Sequence, residues 1–96
     1  MKTTINISLN QTVSQVEGNI VSNMGGEKVL LSIQKGKYFN LGEIGGVIWD
    51  YIEKPIPVAK LVSILTDEYE IEQIVCEEQV ISYLEILSAE GLIAIK

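Results

Sequence analysis

Histidine and arginine are both missing from this chain of 96 residues, and all seven basic residues are lysines. Without histidine the commonest general base is gone, and Ser-His and Cys-His nucleophile pairs cannot be built. A single cysteine, Cys76, excludes an internal disulfide and, with no histidine beside it, ordinary zinc sites. One unpaired thiol also fits a reducing compartment. Apolar runs extend only a few residues, too short to span a bilayer. No apolar h-region follows Met1-Lys-Thr-Thr, so no secretory signal is expected and the chain reads as cytoplasmic. Prolines number only two, Pro55 and Pro57, and no linker, repeat or low-complexity tract interrupts the sequence. Seven lysines against 13 acids leave a net charge of −6, and the third helical segment has no lysine or arginine between Glu72 and Glu90. A nucleic-acid partner, which needs a cationic face, is therefore not expected, whereas a basic peptide would be attracted.

What is present suffices for one folded domain over residues 1–96, with 47% hydrophobic residues. Ile5, Ile7 and Leu9 alternate with polar residues as in a half-buried strand, continued weakly by Val13 and Val16. Ile20–Met24, Val29–Ile33 and Lys37–Leu41 are further strands, separated by Gly25-Gly26 and Lys35-Gly36 turns. The period then changes. Ile44, Val47, Ile48, Tyr51 and Ile52 share one face of a helix that Pro55 and Pro57 end, with Pro57 suited to the first turn of the next helix. Val58, Leu61, Val62, Leu65 and Tyr69 mark that second helix. Val80, Leu84 and Leu87, with Ile81 beside them, mark a third from about Glu72 to Glu90. Gly91 suits the residue after that helix, with Leu92 closing a Schellman contact onto Leu87, before a short strand over residues 92–95. Strands in about 5–41, then helices in about 43–90, make an α+β fold. The expected form is a three-stranded antiparallel sheet packed on a three-helix, winged helix-turn-helix-like unit.

No constellation supports catalysis or metal binding. Cys76, between Val75 and Glu77, lacks a basic neighbour to activate it. Glu77 and Glu78 point to different sides of a helix. The acids from Asp67 to Glu72 lack the glycine and register of a calcium loop. Gly42-x-x-Gly45-Gly46 lacks dinucleotide-motif spacing. Its glycines are better read as a corner at Gly42 and a close approach of helix to sheet at Gly45 and Gly46. No enzyme activity and no cofactor are expected. The strand Lys37–Leu41 is more informative. It places Tyr38 and Asn40 on one face and Phe39 and Leu41 on the other, and at a sheet edge its backbone could pair with an incoming strand.

Tyr38-Phe-Asn-Leu41-x-x-x-Gly45-x-x-Ile48-Trp49 resembles the PqqD-like family, the RiPP recognition elements, and most of all the standalone members of lasso-peptide clusters. Leu30-Leu31, Gly36-x-Tyr38-x-x-Leu41, Leu65-x-x-x-Tyr69 and Tyr83-Leu-x-x-Leu87-x-x-x-Gly91-Leu92-Ile93 extend the likeness over most of the chain from about Gly18. One departure is Gly42, where the family carries asparagine. The resemblance implies that a precursor's leader peptide adds as an antiparallel strand along Lys37–Leu41, with the third helix as the other wall. Leaders of this class look like Tyr-x-x-Pro-x-Leu. The implied peptide-binding residues are Lys37, Tyr38, Phe39, Asn40 and Leu41, with Glu72, Cys76, Gln79, Val80, Tyr83 and Leu87 from the third helix. Glu72 and Glu78 would meet leader lysines. A separate leader peptidase, a transglutaminase-like cysteine protease, is the implied second partner. Two alternatives stand: a peptide chaperone for a radical maturation enzyme, and a winged-helix regulator, which the lack of a basic third helix disfavours.

Overall fold

A computed structural model of the chain describes residues 7–96, Met24 by its backbone alone. The elements run β1 (Thr12–Gln15), β2 (Asn19–Met24), β3 (Glu27–Ser32), β4 (Lys37–Leu41), α1 (Gly42–Tyr51), β5 (Ile56–Pro57), α2 (Val58–Tyr69), α3 (Gln73–Ala89) and β6 (Ile93–Ile95). The fold is α+β: an antiparallel sheet in the order β2-β3-β4 lies with three helices, and their order before a final strand is consistent with a winged-helix-like unit.

A second small sheet, β5-β1-β6, was not foreseen. In it β1 is the middle strand, pairing Val13 with Ile56 on one side and with Ile95 on the other. The expected strand over Ile5, Ile7 and Leu9 does not form among the described residues, and Ile5 lies outside them. Here the chain turns, with Gln11 N–H donating to the Ser8 carbonyl (3.1 Å) and Ser8 N–H to Gln11 Oε1 (2.9 Å). The turn serves α2, whose N-cap is Pro57, without a side-chain cap. Val58 N–H donates to the Gln11 carbonyl (2.8 Å) and Ala59 N–H to the Leu9 carbonyl (3.1 Å), which satisfies donors that a helix start leaves open. Pro57 thus stands one residue before the first turn, not inside it.

One core unites these pieces. Val13, Leu30, Ile52, Leu61, Leu84 and Leu92 are fully buried within it, and Ile48, Trp49, Leu65 and Val80 pack there too. The buried stripe of α1 runs through Gly45, Ile48, Trp49 and Ile52, and Ile44 falls outside it, 46% exposed. α3 ends as expected in a Schellman motif: Gly91 has φ +74, Leu92 N–H donates to the Leu87 carbonyl (2.9 Å) and Gly91 N–H to that of Ser88 (3.0 Å).

Candidate functional site

Strand β4 is an edge of its sheet. It pairs with β3 in the register Ser32↔Lys37, Leu31↔Tyr38, Leu30↔Phe39 and Val29↔Asn40, and its other side meets no strand among the described residues. The alternation is as read from sequence. Tyr38 is 74% exposed and Asn40 exposed, while Phe39 packs against the core and Leu41 is buried. After Asn40 the pairing skips Leu41 and resumes at Lys28↔Gly42, so one extra residue bulges the strand and bends it into α1. Gly42, at φ +72, makes that corner. Asn40 Oδ1 accepts from Gly42 N–H at 2.9 Å.

Where β4 ends, an apolar cavity of about 520 Å³ opens between the helices. Leu41, Gly42, Glu43, Ile44, Gly45 and Ile48 line one side; Leu65, Tyr69 and Ile71 close the end; and Cys76, Gln79, Val80 and Tyr83 from α3 form the opposite wall. Cys76 is buried, with its Sγ 3.8 Å from the Val62 carbonyl, and Val80 is 3% exposed. These two are floor. Gln79 is exposed and Tyr83 half-buried. Both also border a shallower depression on the outer surface of α3, with Glu78, Ser82 and Ile86.

Two glycines shape this region, for different reasons. Gly46 faces the sheet: a β-carbon there would stand 3.2 Å from the Lys28 stem, so α1 approaches β3 closely as expected. The Lys28–Asp50 ion pair, at 2.7 Å, spans the same contact. Gly45 does not face the sheet. It receives the Tyr83 phenol, whose hydroxyl a β-carbon at residue 45 would strike. That hydroxyl is buried and finds no hydrogen-bond partner among the described residues. Burial pushes the phenol's pKa up to about 12, so it is neutral at physiological pH.

Cys76, Gln79, Val80, Tyr83 and Leu41 of the expected site therefore meet in one cavity, and Lys37–Asn40 lead into it as a free strand. Glu72 is the exposed N-cap of α3 and lines none of the cavities described. Leu87 is 3% exposed, packs in the core and lines none of them either. Ile44, Ile48, Leu65, Tyr69 and Ile71 were missed. Helical periodicity had assigned all of these except Ile71 to core faces, and the sole signal was that Ile44 and Tyr69 end their apolar stripes. Among the described residues no group of acids, cysteine or histidine could hold a metal ion, and no helix is long and apolar enough to cross a membrane.

The family model for coenzyme PQQ synthesis protein D (PqqD) matches residues 27–93, a span from β3 to the start of β6. Among solved structures, TbiB1 in complex with the TbiA(beta) leader peptide is similar, with 27% sequence identity and a TM-score of 0.74 over 83% of this chain and 93% of that one. No curated protein matches the sequence.

Proposed function

The chain belongs to the PqqD family, and from that premise we propose that it binds the leader segment of a ribosomally made precursor, of the lasso-peptide class, by strand addition to β4. The carrying observation is a strand edge that meets no strand among the described residues and runs directly into an apolar cavity walled by α3. Backbone pairing along Lys37–Leu41 supplies sequence-tolerant affinity, and side chains inserted into the cavity supply selectivity. The structure of TbiB1 with a leader peptide supports this reading, since its protein shares most of this fold. The bound precursor is then delivered to a separate leader peptidase, a transglutaminase-like cysteine protease. The chain contributes no catalytic group and takes no cofactor; nucleic acid and membrane are not partners, and its place is the cytoplasm. Delivery requires release, so the complex is transient. The acids exposed beside the groove, Glu78 on α3 and Glu43 at the cavity mouth, favour a leader with basic residues.

The test is an anisotropy titration of a labelled synthetic peptide with the leader pattern Tyr-x-x-Pro-x-Leu. Saturable binding is expected. Neighbouring strand residues direct their N–H groups to opposite edges, so Tyr38→Pro and Phe39→Pro separate the two uses of β4. One substitution removes a bond to β3, and the other removes only a group on the free edge. The free-edge variant should stay folded and lose binding. Full affinity in both folded variants would exclude strand addition at β4.

A further inference from the structure

Tyr83 holds the one feature of the cavity that apolar recognition leaves unexplained. Its hydroxyl is buried against Gly45 with no hydrogen-bond partner among the described residues. A buried hydroxyl without a partner is unfavourable, so its place invites an acceptor. The phenol stands between the main cavity and the outer depression of α3, since Tyr83 and Gln79 border both. A peptide laid along the β4 edge and across α3 would meet this ring.

Strand addition creates an acceptor of the matching kind. When a peptide pairs with an antiparallel edge, alternate residues turn their C=O groups toward that edge, and the others turn theirs away. In this groove, away from β4 means toward α3. Those carbonyls lose water on binding and need a donor. We propose that the Tyr83 hydroxyl donates a hydrogen bond to one backbone carbonyl of the bound peptide, on the side of the added strand that faces α3. The inference rests on the strand-addition reading above. A carboxylate is the weaker candidate acceptor, because Glu43 lines the cavity and the chain carries a net charge of −6. In the free protein the phenol lies tucked over Gly45, where the missing β-carbon makes room.

Tyr83→Phe keeps the ring and removes only the hydroxyl. The variant should melt at or slightly above the wild-type temperature, since the atom it loses has no partner among the described residues. Its affinity for the labelled leader should fall about tenfold, the value of one ordinary hydrogen bond. That loss should persist against a set of leaders in which each side chain in turn is cut to alanine, because a backbone carbonyl survives every cut. Unchanged affinity in Tyr83→Phe, with affinity lost in Tyr83→Ala, would reduce Tyr83 to an apolar wall and overturn the proposal. So would a penalty that vanishes for one truncated leader, which would mean that the hydroxyl reads that side chain. A wild-type protein that binds no leader overturns the strand-addition reading itself, and this appears before any variant is made.

Discussion

Replacing Gly42 tests the corner that joins the free strand to the cavity. Its φ of +72 lies where an L-residue is disfavoured, and a β-carbon there would meet nothing within 4 Å. The cost of a substitution is therefore backbone conformation alone. For Gly42→Ala the left-handed conformation costs about 1–2 kcal/mol. Restricting the unfolded chain returns about 0.4–1 kcal/mol, so the net loss should be about 0.5–1 kcal/mol. Gly42→Asn places there a residue that tolerates this conformation far better. Its stability should stay within about 0.5 kcal/mol of wild type. Gly42→Val, β-branched, should lose ~2 kcal/mol or more. Urea denaturation of the three variants gives the order directly. For a chain of this size 1 kcal/mol shifts the melting temperature by about 4–8 °C, so the series is resolvable by heat as well. An alanine variant as stable as wild type would refute the backbone argument, and an asparagine variant as damaged as valine would place the cost in a contact instead.

Two further outcomes follow from the helices. Glu70, just past α2, is non-glycine at φ +51; its N–H donates to the Thr66 carbonyl, and so does Ile71 N–H at 3.2 Å, which closes the helix end. Glu70→Gly should stabilise the fold by about 0.5–1 kcal/mol, the relief of left-handed strain less the entropy of a freer unfolded chain, measurable by thermal melting. Tyr83, raised from 10.0 to about 12 by burial, keeps its proton in the folded state where the unfolded chain has lost it. Its contribution is complete below pH 10 and is lost as pH climbs from there toward 12, so stability falls with rising pH. The partly exposed ring limits the loss to roughly 1–2 kcal/mol. Tyr83→Phe should remove that part of the alkaline decline, and an unchanged decline would locate it in other groups.

The strand Lys37–Leu41, its exposed and buried faces, the three helices and the terminal Schellman motif were legible because each is a local pattern. Alternation, helical period and glycine position act within a few residues, and the structure keeps them as read. The second sheet was not legible, because β1, β5 and β6 are short segments from both ends and the middle of the chain. Their pairing depends on which distant backbones the core brings together. The strand expected at Ile7 and Leu9 failed for the same reason: the Leu9 carbonyl, with that of Gln11, is needed at the start of α2.

The binding face divides along the same line. The sequence by itself determined that the chain is acidic, lacks the usual bases and metal ligands, and offers a strand with one apolar face followed by a glycine corner. Tertiary structure alone decided that β4 is an edge, since pairing is a property of neighbours. It also divided one apolar stripe of α3, bringing Cys76, Val80 and Tyr83 to the cavity wall and leaving Leu87 wholly within the core. Helical spacing sets which residues share a face, but the length over which α1 and α2 cover that face is fixed by how three helices cross. Gly45 shows the difference most plainly. Its lack of a side chain was visible from the start, but the partner that needs the space, Tyr83, lies on another helix and became known only when the two were packed together.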